Sequence, residues 1–481
     1  MGWTLLSAIA PGAAHLRAGR RRTGLALLIG YAVLLLGLLW LVLTADGDLV
    51  GALAGALTSD SLLTVVIIAV VALGLGWFAL ILHSYLVLAP GRLPQAGQIL
   101  SGTLAGLLAV GMVLPFGLAA QYVWVYQQTL NSVFDTPTEP QAAEQAPKDP
   151  WADRTRVNVL LLGGDADDNR IGVRTDSMHV ASIDVKSGNT VLFSLPRNLE
   201  DVRFPPGTPM AERFPQGFRL PPDANGGRSD LLNSVWEYAD AHPEIFGGKK
   251  RQGPHVLKET IGYTLGLKID WYALVNMWGF ARLIDAIGGI ELTVEQDVVF
   301  GKYNEGLVKA GTRRLKGADA MWYARSRTFS DDFTRMRRQR CVMGALLTQA
   351  DPATVLLRFN GIAAATKQLV RTDIPRPVLE HLVPLALKVK SARVTSVQFV
   401  PPLINTGYPD WVKIRAVTAK ALRDSVRPRP SAATADQSAT PTATPSGTPS
   451  GTPAARPSGT PTPKPRDVAA PKGITDGCAA P

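Results

Sequence analysis

The sequence predicts an α/β domain carried behind three N-terminal membrane helices, and three observations lead there. Residues 23–43, 62–82 and 100–120 are each apolar over the length a bilayer requires. From residue 151 to residue 428, strand-like and helix-like stretches alternate, the pattern of an α/β architecture. The first strand of that series, residues 157–162, is a continuous apolar run bounded by Gly163 and Gly164, which reads as a buried strand ending in a tight turn.

Three spans in succession argue against a cleaved signal peptide, and Pro115 in the third is tolerated because a membrane helix can absorb one proline. Arg17, Arg20, Arg21 and Arg22 precede the first span, so residues 1–22 are expected in the cytoplasm. The first loop carries Asp46, Asp48 and Asp60 without a cation, and the second holds His83 and Arg92. The membrane portion, residues 23–124, therefore ends outside, and everything after it is expected to be extracytoplasmic. His15 and His83 are read as interfacial groups rather than ligands.

Residues 125–150 are expected to be a linker, rich in Pro, Gln, Ala and Glu from residue 136 onward. The globular domain follows as residues 151–428. After the first strand, residues 177–185 and 190–195 read as strands joined by the turn Lys186-Ser187-Gly188-Asn189. Residues 271–275 read as a strand, 278–286 as an amphipathic helix stopped by Gly288-Gly289, and 290–294 and 394–400 as further strands. Residues 429–481, dominated by Ala, Thr, Pro, Ser and Gly, are expected to be a disordered tail.

The chain has 481 residues, a formal net charge of +11 and two cysteines. The charge suits an anionic partner such as anionic lipid or a phosphorylated substrate. Nucleic acid is excluded on the absence of helix-turn-helix spacing, a zinc-ligand set or a basic run interleaved with aromatics. Cys341 and Cys478 make neither a disulfide scaffold nor a CxxC site. In an oxidising compartment they could pair and pin the tail to the domain, and two separate thiols is the alternative.

Charge concentrates in two places. After the first strand come Asp165, Asp167, Asp168, Arg170, Arg174 and Asp176, and the strand ending at residue 195 runs into Pro196-Arg197. Far downstream come Arg325, Arg327, Asp331, Asp332, Arg335 and Gln339. Ser330, Asp331 and Asp332 make a helix start, on which Asp332, Arg335 and Gln339 share one stripe. Arg337 and Arg340 fall on another face and are expected at solvent or in wall contact. Arginines grip phosphate through a planar, permanently charged fork, and magnesium takes one or two carboxylates alongside phosphate oxygens. Strand ends are where an open α/β sheet puts its ligand.

At these residues the chain resembles the LytR-CpsA-Psr family of extracytoplasmic enzymes that attach glycopolymers to peptidoglycan. The likeness lies in NVLLLGGD with VRTDSM, in SLPRN, in IDWYALVNMWGFARLIDAIGGIELTV and in YARSR with DDFTRMRRQR. It implies a three-layer α/β/α sandwich whose sheet borders a long apolar pocket for a polyprenyl chain, with the diphosphate at its mouth. Carried onto this chain, Asp165 and Asp176 are the expected carboxylates near a magnesium (or manganese) ion. Arg174, Arg197, Arg325 and Arg327 form the expected diphosphate clamp, supported by Arg335 and Gln339. Asp331 or Asp332 would activate the acceptor or support the metal, with the helix stripe leaning to Asp332. The family's lysine after the SLPR block falls here at Leu231, although Asn233 remains, and the insertion at residues 205–223 is expected to reshape the pocket entrance.

The implied reaction is phosphotransfer from a polyprenyl-diphosphate-linked glycan donor to a peptidoglycan acceptor, at the surface of the cell membrane. A polyprenyl-diphosphate phosphatase and a non-catalytic wall-polymer binding protein are the alternatives. The Ala, Gly and Arg content points toward an actinobacterial, Gram-positive wall.

Overall fold

A computed structural model describes residues 2–44, 57, 59–88, 93–134, 150–151, 154–165, 173–222, 227–350, 370–427, 472–476 and 478. The N-terminal part is helical: α1 (Gly2–Ile9), α2 (Ala13–Arg17), α3 (Arg21–Thr44), α4 (Asp60–Val87) and α5 (Gln95–Phe134). Among the described residues, α4 and α5 are long and apolar enough to cross a membrane. Helices α1 and α2 fold back on α4, where Ser7 meets Ser84 at 2.9 Å, His15 meets His83 at 2.9 Å, and Trp77 donates to the Ala8 carbonyl. The two histidines therefore share one hydrogen bond.

Helix α5 corrects the expected linker. It continues through residues 125–134, because Val125, Tyr126 and Leu130 keep the run apolar and no breaker intervenes before Pro137. Tyr126 and Leu130 are buried against Leu63 of α4. The remainder of the expected linker, apart from Pro150, lies outside the described residues.

The domain is a mixed α/β fold around a seven-stranded sheet. Its strands are β1 (Arg156–Asp165), β2 (Arg174–Asp184) and β3 (Thr190–Leu195), followed after α6 (Pro209–Arg213), α7 (Val235–Ala241) and α8 (Gly253–Leu265) by β4 (Trp271–Asn276). Then come α9 (Met277–Ala286), the short strands β5 (Ile290–Val294), β6 (Val298–Phe300), β7 (Gly306–Val308) and β8 (Gly311–Leu315), α10 (Gly317–Arg325) and α11 (Asp332–Gln349). The chain finishes with β9 (Val370–Thr372), α12 (Leu379–Ser391), β10 (Val394–Gln398), α13 (Trp411–Val426) and β11 (Lys472–Gly473). The sheet order is β11-β10-β3-β2-β1-β4-β9. β1 is parallel to β4 and β3 to β10, while β2 runs antiparallel between β1 and β3. Four strands thus end at one edge, where β2 begins.

Because side chains alternate along a strand, the sheet has two different faces. Leu160, Leu162, Met178, Val180 and Phe193 point into a core completed by α7, α8 and α13. Leu161, Ala181 and Leu192 point the other way, toward Met343 and Leu347 of α11.

Three expectations need correction here. β1 does not stop at residue 162 but runs through both glycines to Asp165, with a register shift between Gly163 and Gly164. A Cβ on Gly163 would collide with the Ser177 hydroxyl, and one on Gly164 would come within 2.8 Å of Val173, so the glycines permit a bulge rather than a turn. The insertion at residues 205–223 sends Met210, Phe214 and Phe218 into the α8-side core, away from the face that carries the site. Finally, the tail is not disordered throughout: β11 pairs with β10, and Cys341 is joined to Cys478 with 5.7 Å between their Cα atoms. Ile474 packs beside Leu192, which supplies the apolar contact that composition alone denied the tail.

Candidate functional site

The site lies where β1, β3 and β4 end and α11 begins. Asp176 enters with the first residues of β2, and Arg197 follows β3 directly. Asp331 is the N-cap of α11, its carboxylate accepting from the Thr334 amide at 2.6 Å. That cap occupies Asp331 and leaves Asp332, in the first turn, free to face inward. The Gln398 amide at the end of β10 donates to the Met336 carbonyl at 3.0 Å, so the helix is fastened to the sheet at this level.

These elements build a line of alternating charge. The Arg197 guanidinium donates to Asp176, and its Nε lies 3.6 Å from Asp332. Asp332 is 2.9 Å from Arg335, whose side chain is only 2% exposed. Burial pulls the Arg335 guanidinium below its ordinary range, against the attraction of Asp332 and Asp176. Both Asp332 oxygens are shielded from solvent, and neither receives a well-formed hydrogen bond. Buried polar atoms are ordinarily satisfied, so this carboxylate is arranged for a further ligand.

Beside this line is a cavity of about 330 Å³ between β1, β2 and β4 on one side and α9, α10 and α11 on the other. Asp176, Arg325, Arg335 and Gln339 line its polar end. Further along the same strands and along α11, the lining turns to Leu161, Ala273, Val275, Phe280, Val342 and Leu346. Both walls therefore run from charged to apolar in the same direction.

Not every expected residue joins. Arg174 is turned to Glu237 of α7, at 2.9 Å, and is not in the Asp176–Arg197–Asp332–Arg335 line. Asp165 ends β1 opposite Arg174 in register, and its side chain lies outside what is described. Arg325 stands over the Trp322 ring at 5.5 Å while lining the cavity. Arg327 is exposed and close enough for its charge to act on Arg335. Leu231 precedes a 3-10 turn in which the Asn233 amide donates to the Arg197 carbonyl at 3.1 Å, so this segment braces Arg197 through its backbone. Arg337 is exposed and paired with Glu295, but Arg340 is buried and donates to the Asp476 carbonyl. Its expected place at solvent is wrong because the C-terminal segment covers it.

Two contributors escaped the sequence reading. His179 lines the cavity, its Nδ1 2.8 Å from the Ser194 hydroxyl. Burial, helped by the Arg335 charge, holds its imidazole down at about 4, so it is neutral at ordinary pH. The signal was the alternation Ser177, His179, Ala181 on one strand face. Arg338 is buried and donates to the Tyr323 carbonyl at 3.2 Å, the Ser326 carbonyl at 2.9 Å and the Ser330 hydroxyl at 2.7 Å. It fixes the turn between α10 and α11, which carries Arg327.

Residues 122–408 match the LytR_cpsA_psr family model. The probable cell wall biosynthesis protein LcpB of Corynebacterium glutamicum is 29% identical over 311 residues, covering 61% of this chain and 63% of that protein. The polyisoprenyl-teichoic acid–peptidoglycan teichoic acid transferase TagU of Oceanobacillus iheyensis is 27% identical over 284 residues, 58% of this chain and 78% of the relative. The alignment thus spans less than two-thirds of the LcpB protein's length. Among solved structures, gbs0355 from Streptococcus agalactiae aligns with a TM-score of 0.42 at 20% identity, over 58% of this chain and 90% of that one.

Proposed function

The chain belongs to the LytR-CpsA-Psr family, and from that premise we propose that it is a membrane-anchored phosphotransferase. It moves a glycopolymer from a polyprenyl-diphosphate carrier to peptidoglycan outside the cell. In this reading α3, α4 and α5 are three spans, and the sheet with helices on both faces is a three-layer sandwich. The observation that carries the proposal is the cavity lined by apolar side chains and, at its polar end, by Asp176 and Arg335, the two outer members of the Asp176–Arg197–Asp332–Arg335 line. An isoprenoid chain matches the apolar part, and a diphosphate matches the guanidiniums at its end.

Arg197 and Arg335 bind phosphoryl oxygens, with Arg325 and Arg327 reaching from the α10 side. Charge that develops on those oxygens in the transition state meets fixed cations in a partly dry site, which is where electrostatic help is strongest. An acceptor sugar hydroxyl attacks the sugar-proximal phosphorus, and the bond from that phosphorus to the bridging oxygen breaks. Polyprenyl phosphate leaves with the bond's electron pair, and the hydroxyl proton passes to an oxygen of that leaving phosphate. The glycan is then joined through a phosphodiester.

Among the described residues no group of three or more His, Cys, Asp or Glu side chains gathers as a metal site. Two carboxylates do meet at Arg197, and the unbonded oxygens of Asp332 suit a cation that completes its shell with phosphate oxygens and water. Asp176 and Asp332, with Asp165 at the end of β1, would hold magnesium or manganese. Such an ion would neutralise phosphate charge.

The test combines the purified full-length protein, a lipid-linked glycan donor, a divalent cation and peptidoglycan oligomers, with products identified by mass. A glycan–peptidoglycan adduct is expected. Phosphate release without adduct would replace the ligase by a phosphatase, and binding without turnover would leave a wall-polymer binding protein.

A further inference from the structure

The membrane hairpin and the catalytic layer meet at one buried arginine. Arg376 opens a 3-10 turn directly after β9, and its side chain is 7% exposed. Its Nη1 donates to Asp60, at the start of α4, at 2.8 Å, and also to the Asn131 side chain near the end of α5. The same Asp60 carboxylate accepts from Gln127 of α5 at 2.6 Å, and Gln127 reaches Thr64 of α4 at 2.9 Å. One guanidinium therefore closes a polar cluster that already clamps the two long helices together.

The position of this cluster gives it consequence. Helix α5 also packs against β9, the edge strand of the sheet. β9 pairs with β4 so that Val370 faces Val275 and Thr372 faces Ala273. Val275 and Ala273 are themselves lining residues of the cavity. The hairpin is thus one strand away from the cavity wall. A domain on a loose tether samples many heights and orientations, which dilutes it relative to a membrane-bound donor. A domain seated on its own hairpin samples one.

We propose that Arg376 is a positioning residue that seats the catalytic layer on the α4–α5 hairpin and so holds the cavity at one height and tilt above the bilayer. The anchor is then part of the active architecture, and it matters only for donors that are themselves held in the membrane. This inference rests on the transferase reading for its activity arm, but not for its structural arm.

The experiment uses the full chain in phosphatidylglycerol vesicles, as wild type, Arg376→Ala, Arg376→Asp, Asp60→Arg, the double exchange Arg376→Asp with Asp60→Arg, and the milder Asn131→Ala. Transfer is measured from a long-chain polyprenyl-diphosphate donor embedded in the vesicles and from a short-chain, water-soluble farnesyl-diphosphate donor. Both native cysteines are paired, so spin labels at Tyr122→Cys on α5 and Val412→Cys on α13 report the domain–hairpin distance. The single Arg376 and Asp60 variants are expected to lose about tenfold on the embedded donor and less than about twofold on the soluble one. Their distance distributions should broaden, the double exchange should narrow them again, and Asn131→Ala should fall between. An unbroadened distribution in Arg376→Ala, or an equal loss on both donors, overturns the proposal. If the wild type transfers from neither donor, the transferase reading fails while the distances still decide the seat.

Discussion

The two faces of the central sheet are built from alternate residues of the same strands, yet one is filled and the other is kept open. On the filled face Phe193 stacks on Phe399 with ring centroids 6.3 Å apart, and Trp236 meets Tyr272 edge-on at 5.6 Å. On the open face the residues one position along each strand border the cavity, and the apolar surface lining it is left uncovered, beside the packing of Leu161, Ala181 and Leu192 against α11 and Ile474. Leaving such surface uncovered costs stability, so the open face depends on the filled one. The lesson is a division of labour at single-residue resolution: Val180 and Phe193 hold the fold, while Leu161 and His179 shape the site.

The largest effect should come from the charged end of the open face. Arg335→Ala removes the guanidinium beside the proposed phosphate site and is expected to lower transfer by about 10²–10³-fold. It also leaves Asp332 without its nearest partner, so thermal unfolding should report a loss of about 3 kcal/mol. On the filled face, Phe193→Ala should cost about 3–4 kcal/mol in denaturant unfolding. Lipid affinity per folded molecule should be unchanged, and a parallel loss of both would erase the distinction between the faces.

His179 offers a test by pH. Its imidazole sits at about 4 in the folded chain against an ordinary 6.5, so below pH 6.5 the unfolded chain takes up the proton first. Its contribution to stability therefore falls as pH drops from 6.5 toward 4, by up to about 3 kcal/mol. His179→Leu should flatten that slope, measured as the difference in unfolding free energy between pH 7 and pH 4.5. The smallest effect is the most specific: Ala273→Phe adds a ring to the cavity wall and should weaken long-chain polyprenyl-diphosphate binding about tenfold. Calorimetry that finds no weakening would detach the cavity from the lipid.

Much of this was legible locally. The alternation in residues 290–294 marks β5 to the residue, and the spacing of Asp332, Arg335 and Gln339 is what turns them to one side of α11. Ser330-Asp331-Asp332 also announced the helix start, and Asp331 is the cap. What stayed hidden depends on distant partners. Nothing near Arg174 announces Glu237, and nothing near Arg340 announces the Asp476 carbonyl. Gly163 and Gly164 have the same composition whether they make a turn or a bulge, and only the collision with Ser177 and Val173 on the neighbouring strand decides.

The bond between Cys341 and Cys478 has a consequence for cleavage. It closes residues 341–478 into one covalent ring. A single proteolytic cut between the two cysteines therefore leaves both pieces joined, and only reduction lets them part. On a non-reducing gel the cut chain should keep its full mass, and on a reducing gel it should not.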